Sequence, residues 1–183
     1  MLALAKEAVE SPDRITAVDS LAILNDAYGL ARAGYLPSTV LLSVVRTLAH
    51  PRQEHALFSG IALILDDLLG LFFTDMHTYR AIQRMRRKLF GSVVARLGFD
   101  FSDDDSAETI QLRTLAIKEA GLAGHEVVVD WALQQWAASI EDGQTLSANT
   151  RAVIWSLAVI HIGERAHTRL TDLFVTAKST TCV

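Results

Sequence analysis

Apolar residues recur at intervals of three and four along most of this chain, the period of helices that each bury one face. Val40, Leu41, Val44, Val45 and Leu48 form such a face after Pro37, and Pro51 stops it. Leu57, Ile61, Ile64, Leu68 and Leu71 form the next. Strongly polar residues in that segment are confined to its start and to Asp66-Asp67, which predicts an inner, mostly buried helix. Thr74-Asp75 caps a helix striped by Ile82, Met85, Leu89, Val93 and Leu97. Asp105, with Glu108 three residues on, offers a capping box for a helix ending at Leu122. Three further stripes follow: Val129, Leu133, Trp136 and Ile140; Ile154, Leu157 and His161; and Ala166, Leu170, Leu173 and Ala177.

The punctuation agrees with this reading. Ser11-Pro12 reads as an N-cap with proline at the first helical position of a segment that Gly34 ends. Gly98, Gly124, Gly143 with Ser147, and Gly163 mark the later turns. No window keeps a strict apolar–polar alternation, so no sheet is predicted. About eight helices, joined by short turns into hairpins recurring roughly every 35 to 45 residues, match the spacing of HEAT- or armadillo-like repeats. The expected fold is all-α, an irregular α-solenoid of stacked helical hairpins. A compact helical bundle is the alternative.

Composition narrows the picture. The chain has 183 residues, enough for one helical domain over 1–183 and too few for two of typical size. Its mean hydropathy of +0.25 makes a membrane span the first possibility to test. The longest apolar stretch, Ile61–Phe73, is interrupted by two carboxylates, whereas a span needs about 20 mostly uncharged residues. The N-terminus meets Lys6 and Glu7 before any apolar core of a signal peptide develops, so a cytoplasmic location is expected. A single cysteine, Cys182, excludes a disulfide framework. A net charge of −4 with mixed signs is not that of a nucleic-acid-binding protein.

The search for chemistry returns fragments. His125-Glu126 begins a zinc-protease His-Glu-x-x-His helix, but Val129 stands at the last ligand position. Glu164-x-x-His167 has the spacing of half a di-iron site and no second half. His161, on an apolar line, reads as a core histidine with one hydrogen-bond partner. Asp103-Asp104-Asp105 lacks calcium-loop spacing. No complete active site is found. Arg80, Arg84 and Arg87 share a helix face opposite the Ile82 stripe, with Lys88 beside them. They read either as a solvated face or as a basic wall that attracts a carboxylate-bearing ligand. Arg86 and Arg96 lie nearer the apolar edge and are expected to snorkel.

Several phrases resemble one family. Asn25-Asp26-Ala27-Tyr28-Gly29-Leu30-Ala31-Arg32-Ala33-Gly34 is similar to a stretch in the C-terminal helical domain of gluzincin zinc aminopeptidases, of the puromycin-sensitive and endoplasmic-reticulum type and their fungal counterparts. Arg96-Leu97-Gly98-Phe99, Gln111-Leu112-Arg113, Ala120-Gly121-Leu122-Ala123-Gly124-His125-Glu126 and Asn149-x-Arg151-x-Val153-Ile154-Trp155 follow in that domain's order. The likeness covers about 11–178. The family has Asp-Arg just ahead of the first phrase; here Asp19-Ser20 stands there, with Asp13-Arg14 six residues earlier.

The resemblance implies a non-catalytic helical domain. In the whole enzymes, zinc and the hydrolytic residues lie on a separate catalytic domain, and this one encloses the peptide chamber. Its implied partners are a peptide substrate and that catalytic domain, and it carries no cofactor of its own. The chain looks incomplete relative to the family domain, and an interrupted stack exposes an apolar end face. Arg113 and Arg151, with Arg80, Arg84 and Arg87, are the candidates for facing a peptide's carboxylate, because a planar guanidinium binds one bidentately. The alternative function is a stand-alone HEAT-like interaction module.

Overall fold

A computed structural model describes residues 1–10, 16–49, 54–141 and 143–180. The starts and stops expected at Ser11-Pro12 and Pro51, and the Asp13-Arg14 pair and Cys182, lie outside these residues, as does the Ala177 side chain. Among the described residues the secondary structure is entirely helical, in nine helices. They are α1 (Leu2–Glu10), α2 (Ala17–Arg32), α3 (Ser38–Leu48), α4 (His55–Leu71), α5 (Met76–Leu97), α6 (Ala107–Leu122), α7 (Glu126–Glu141), α8 (Arg151–Ile162) and α9 (Glu164–Thr180). The fold is all-α, as expected; the helix absent from the sequence reading is α1, which docks on α3 through the buried Ala5.

Local chemistry explains where the helices begin and end. Thr16 caps α2 in a full capping box, and Asp19 closes it, so the Asp19 that stands ahead of the first family-like phrase serves the helix start. Asp75 caps α5 by accepting from the His77 and Thr78 backbone N–H groups. For α6 the expectation needs correction: the cap is Ser106, which accepts from Thr109 N–H, while Asp105 is engaged elsewhere. Gly34 and Gly124 end α2 and α6 at φ +79° and +73°, a conformation that strains any residue with a Cβ. Each sits in a Schellman motif, with the following N–H (Tyr35, His125) reaching back to Leu30 and Ala120 carbonyls.

The packing has two unequal layers. Helices α2, α4, α6 and α8 form a row in which each packs on the next. Helices α3, α5, α7 and α9 pack on the even helices beside them and make no extensive contact with one another. Gly60 of α4 lies against Leu21 and Leu24 of α2, and Tyr28 of α2 bonds to Asp67 of α4, so these two helices run parallel. Their C-terminal ends therefore share one edge. At the far end of the row a methyl on Gly121 would come within 2.4 Å of Leu157, whose own side chain is fully buried.

The core lies between the layers and includes Leu24, Leu41, Phe58, Ile61, Phe90, Ile117, Ile154 and Leu157. Phe58 and Phe90 meet edge to face at 5.5 Å, the favoured arrangement of aromatic quadrupoles. The stripes expected in α3 and α4 are buried as read, apart from the half-buried Val40 and the exposed Leu71. In α7 the inward line is Val128, Ala132 and Trp136 instead, with Leu133 and Ile140 half-buried beside a cleft facing α9. His161 is exposed in the last turn of α8, past the contact between Leu157 and Gly121. There a histidine is placed favourably toward the helix dipole, so the core role expected for it does not hold.

The close approach of α6 to α8 gives a paired test. Gly121→Ala is expected to lower stability by about 1–3 kcal/mol through overpacking against Leu157. Gly29→Ala, in α2 with open space around it, is expected to raise stability by roughly 0.5–1 kcal/mol. Urea denaturation of the two variants measures both signs.

Candidate functional site

The even row presents its outer face to solvent, and one depression lies on it. It encloses about 360 Å³ and is lined by His55 at the start of α4, Ile110, Gln111, Thr114, Leu115 and Lys118 along α6, and Asn149 ahead of α8. Parallel even helices bring these together, because His55 and Asn149 both sit at the N-terminal edge of the row beside the first turns of α6. Aliphatic side chains form part of the wall, and Lys118 supplies an exposed ammonium. A larger hollow of about 700 Å³ opens elsewhere, between α7 and α9, two helices that make no extensive contact. Ala166 is the buried side chain of α9 among those described, with Leu170 half-buried and Val175 61% exposed.

Lys118 joins the depression to a charged cluster that ties three helices together. Arg86 of α5, 3% exposed, donates from Nε to Glu119 of α6 at 2.7 Å and again from Nη2. Glu119 is 1% exposed. Asp66 of α4 accepts from Arg86 Nη2 at 2.9 Å, and Lys118 stands 3.3 Å from the other oxygen of Glu119. The expectation that Arg86 snorkels is thus overturned: a buried carboxylate from another helix holds it inside. Desolvating two charges is costly, and the full set of bonds around them offsets that cost.

The five arginines singled out from sequence fall in three places. Arg113 is 5% exposed and pairs with both oxygens of Asp105, at 2.6 and 3.3 Å. It also donates to the Leu97 carbonyl and lies over the Phe101 ring. Arg151 is exposed at the first position of α8 and donates to the Leu146 carbonyl. Arg80 and Arg84 are exposed on α5, while the half-buried Arg87 donates to the Gly124 carbonyl. The three α5 residues share a face as expected, and they lie in the odd layer, apart from the depression.

Electrostatics follow these contacts. Hydrogen bonds from Arg113 and then from Ser102 N–H hold the Asp105 carboxyl below its ordinary range. Hydrogen bonds from Thr78 do the same for Asp75. The hydrogen bond to Asp67 is the main reason the Tyr28 phenol is raised. The described residues bring no three His, Cys, Asp or Glu side chains within reach of one metal ion, so they do not fit a zinc site. His125 instead packs its ring on Gly91, where a Cβ would fall 2.5 Å from Cδ2.

Sequence reasoning missed Lys118, His55 and Asn149 because no periodicity joins residues from three separate elements. It missed Glu119 as well, which stands with Lys118 between apolar Ile117 and Ala120 and reads there as one half of a solvated pair.

Fold and surface together define a two-layered stack of helices with no assembled catalytic group among its described residues, and with its depression on the row that is in contact. The chain belongs to the ERAP1-like C-terminal domain family, whose profile matches residues 1–181. It is similar to Aminopeptidase 2 of Candida albicans, 24% identical over 173 residues, covering 93% of this chain and 18% of that protein. It is also similar to Aminopeptidase N of Lactococcus lactis subsp. cremoris, 25% identical over 146 residues, covering 80% of this chain and 17% of that one. The chain thus spans less than a fifth of the length of either relative. No helix among the described residues is long and apolar enough to cross a membrane.

Two stability measurements test the charged groups. Glu119→Ala, which takes from Arg86 its buried partner and leaves it only the half-exposed Asp66, is expected to cost about 3 kcal/mol, and Arg86→Met with Glu119→Leu much less. Asp105, whose carboxyl is held low in the folded state, stabilises the fold above its ordinary pKa of 3.8, and this is lost as pH falls through the lowered value. Thermal melts between neutral and acid pH are expected to show a shallower acid decline for Asp105→Asn.

Proposed function

We propose that this chain is part of the C-terminal helical domain of a zinc aminopeptidase, and that its even-helix face lines the chamber in which the peptide is held. Family membership supports the first part. The second rests on one packing observation: the even helices touch along the row and the odd helices splay apart. A row in contact is the shorter side of a stack, so the stack curves toward it and the even face is concave. In this reading residues 1–183 form one domain built as an irregular α-solenoid. Zinc and the hydrolytic groups belong to a separate catalytic domain, and this chain contributes walls and contacts.

The carboxylate of the peptide is then met on the even face. Of the five arginines, Arg151 suits that role, because it is exposed on an even helix beside Asn149 and keeps donors beyond the one spent on Leu146. Lys118 joins it from α6. Arg113 has its fork occupied by Asp105, and Arg80, Arg84 and Arg87 lie on the outer layer. The apolar wall from Ile110 and Leu115 suits aliphatic side chains of a peptide of mixed sequence.

Binding of a fluorescein-labelled nonapeptide, with a free or an amidated C-terminus, tests the reading. The free carboxylate is expected to bind roughly tenfold more tightly, and Lys118→Ala and Arg151→Ala to remove that difference. Equal affinity for the two peptides, or a difference that depends on Arg80 and Arg84 instead, would contradict it.

A further inference from the structure

One edge of the stack carries an apolar ridge that neither the core nor the concave face uses. The turns after α2 and α4 lie side by side there, because those helices run parallel and are joined by the Tyr28–Asp67 bond. From them project Tyr35 (82% exposed), Leu71 (67%), Phe73 (68%) and Met76 (51%). Single exposed apolar residues are ordinary, but four large ones on two neighbouring turns form a patch of the kind found at interfaces. Arg80 and Arg84 flank it on the first turns of α5, exposed and without an ion pair among the described residues. The nearby carboxylates are committed: Asp75 caps α5, and Asp67 accepts from Tyr28.

We propose that this ridge docks an acidic protein segment, an amphipathic helix whose apolar face covers Tyr35, Leu71, Phe73 and Met76 and whose flanking carboxylates meet Arg80 and Arg84. Charge selects this occupant over the others. A second copy related by a two-fold axis through the ridge would set Arg80 and Arg84 against their own counterparts, a like-charge contact that disfavours the dimer. An anionic membrane would face a chain of net charge −4, whose remaining surface repels it. An acidic helix instead supplies what both halves of the patch lack: apolar cover and carboxylates for forked guanidiniums. This surface lies outside the concave face, so the proposal does not depend on a peptide chamber.

The test uses a synthetic amphipathic helix of about five turns, long enough to be helical when bound. It carries leucines at i, i+3, i+4 and i+7 with glutamates on both flanks, and is compared with a twin in which every flanking glutamate is lysine. Fluorescence anisotropy is expected to show saturable binding of the glutamate peptide, about tenfold tighter than its twin and weakening with salt. The double variants Arg80→Glu/Arg84→Glu and Tyr35→Ser/Phe73→Ser, with circular dichroism confirming helicity, are each expected to weaken it about tenfold. Equal affinity for the two peptides, no binding, or binding indifferent to both double variants would overturn the proposal. So would ridge-dependent dimerisation in light scattering, or ridge-dependent sedimentation with phosphatidylserine vesicles.

Discussion

The buried pair of Arg86 and Glu119 sets the alignment on which the middle of this molecule depends. It joins α5 to α6, and through Asp66 it reaches α4, so one guanidinium is shared by three helices in two layers. Such a pair adds little net stability, because desolvation cancels most of the attraction. Its larger effect is on register. Sliding α5 along α6 by one residue would rotate Arg86 out of reach and leave the buried carboxylate with only the exposed Lys118 beside it, a costly arrangement. In the observed register the neighbouring contacts all close together: Phe58 on Phe90, Arg87 on the Gly124 carbonyl, His125 over Gly91. A greasy interface alone would tolerate several alignments, and the ion pair makes one of them far better than the rest.

Small residues then determine which side of the stack is tight. Ala27, Ala116, Ala120 and Ala158 are fully buried on even helices, and Gly60 and Gly121 lie where those helices approach most closely. The bulkiest fully buried rings, Phe58 and Phe90, fill the space between layers. This gives a physical meaning to a composition with 25 alanines and 25 leucines. Leucine supplies the area buried between layers, and alanine lets the row close up. The high hydropathy of the chain follows from helices that each meet neighbours on more than one side.

Much of this was legible in the sequence. Periodicity places α3 and α4 correctly, and Asp75, Gly34, Gly98, Gly124 and Gly163 mark real helix ends. What failed did so where a distant partner decides. Arg86 sits in the run Arg84-Met85-Arg86-Arg87-Lys88, which reads as solvated until Glu119 is placed against it. Asp105 looks like a cap because its spacing to Glu108 is right, but Arg113 competes for its carboxylate and leaves the cap to Ser106. In α7 the small Ala132 is buried and the large Leu133 is not, since a line of big residues can face a cleft as well as a core. The candidate site was less legible than the fold. Its arginines could be found by charge, but which layer each one occupies depends on packing.

The family-like phrases themselves turn out to encode structure. Gly34, which closes the first phrase, and Gly124 in the fourth are the left-handed residues of two Schellman turns. Gly121 makes room for Leu157. Arg113, in the second turn of α6, and Arg151, at the start of α8, each reach back to a backbone carbonyl ahead of their own helix, Leu97 at the end of α5 and Leu146 in the loop after α7. Both carbonyls lie at the edge opposite the exposed ridge, so arginines staple that edge, while the Gly34 and Gly124 turns shape the other. A likeness built on such residues reports the fold, because each of them satisfies a backbone group or a close approach that any member of the stack must satisfy. Groups that would meet a ligand, Lys118, His55 and Asn149 in the depression, satisfy no such requirement, and all but Asn149 fall outside the phrases. The part of Arg151 left over from its loop carbonyl is where the two kinds of residue meet: a fork with one tine holding the chain and the others exposed at the start of α8.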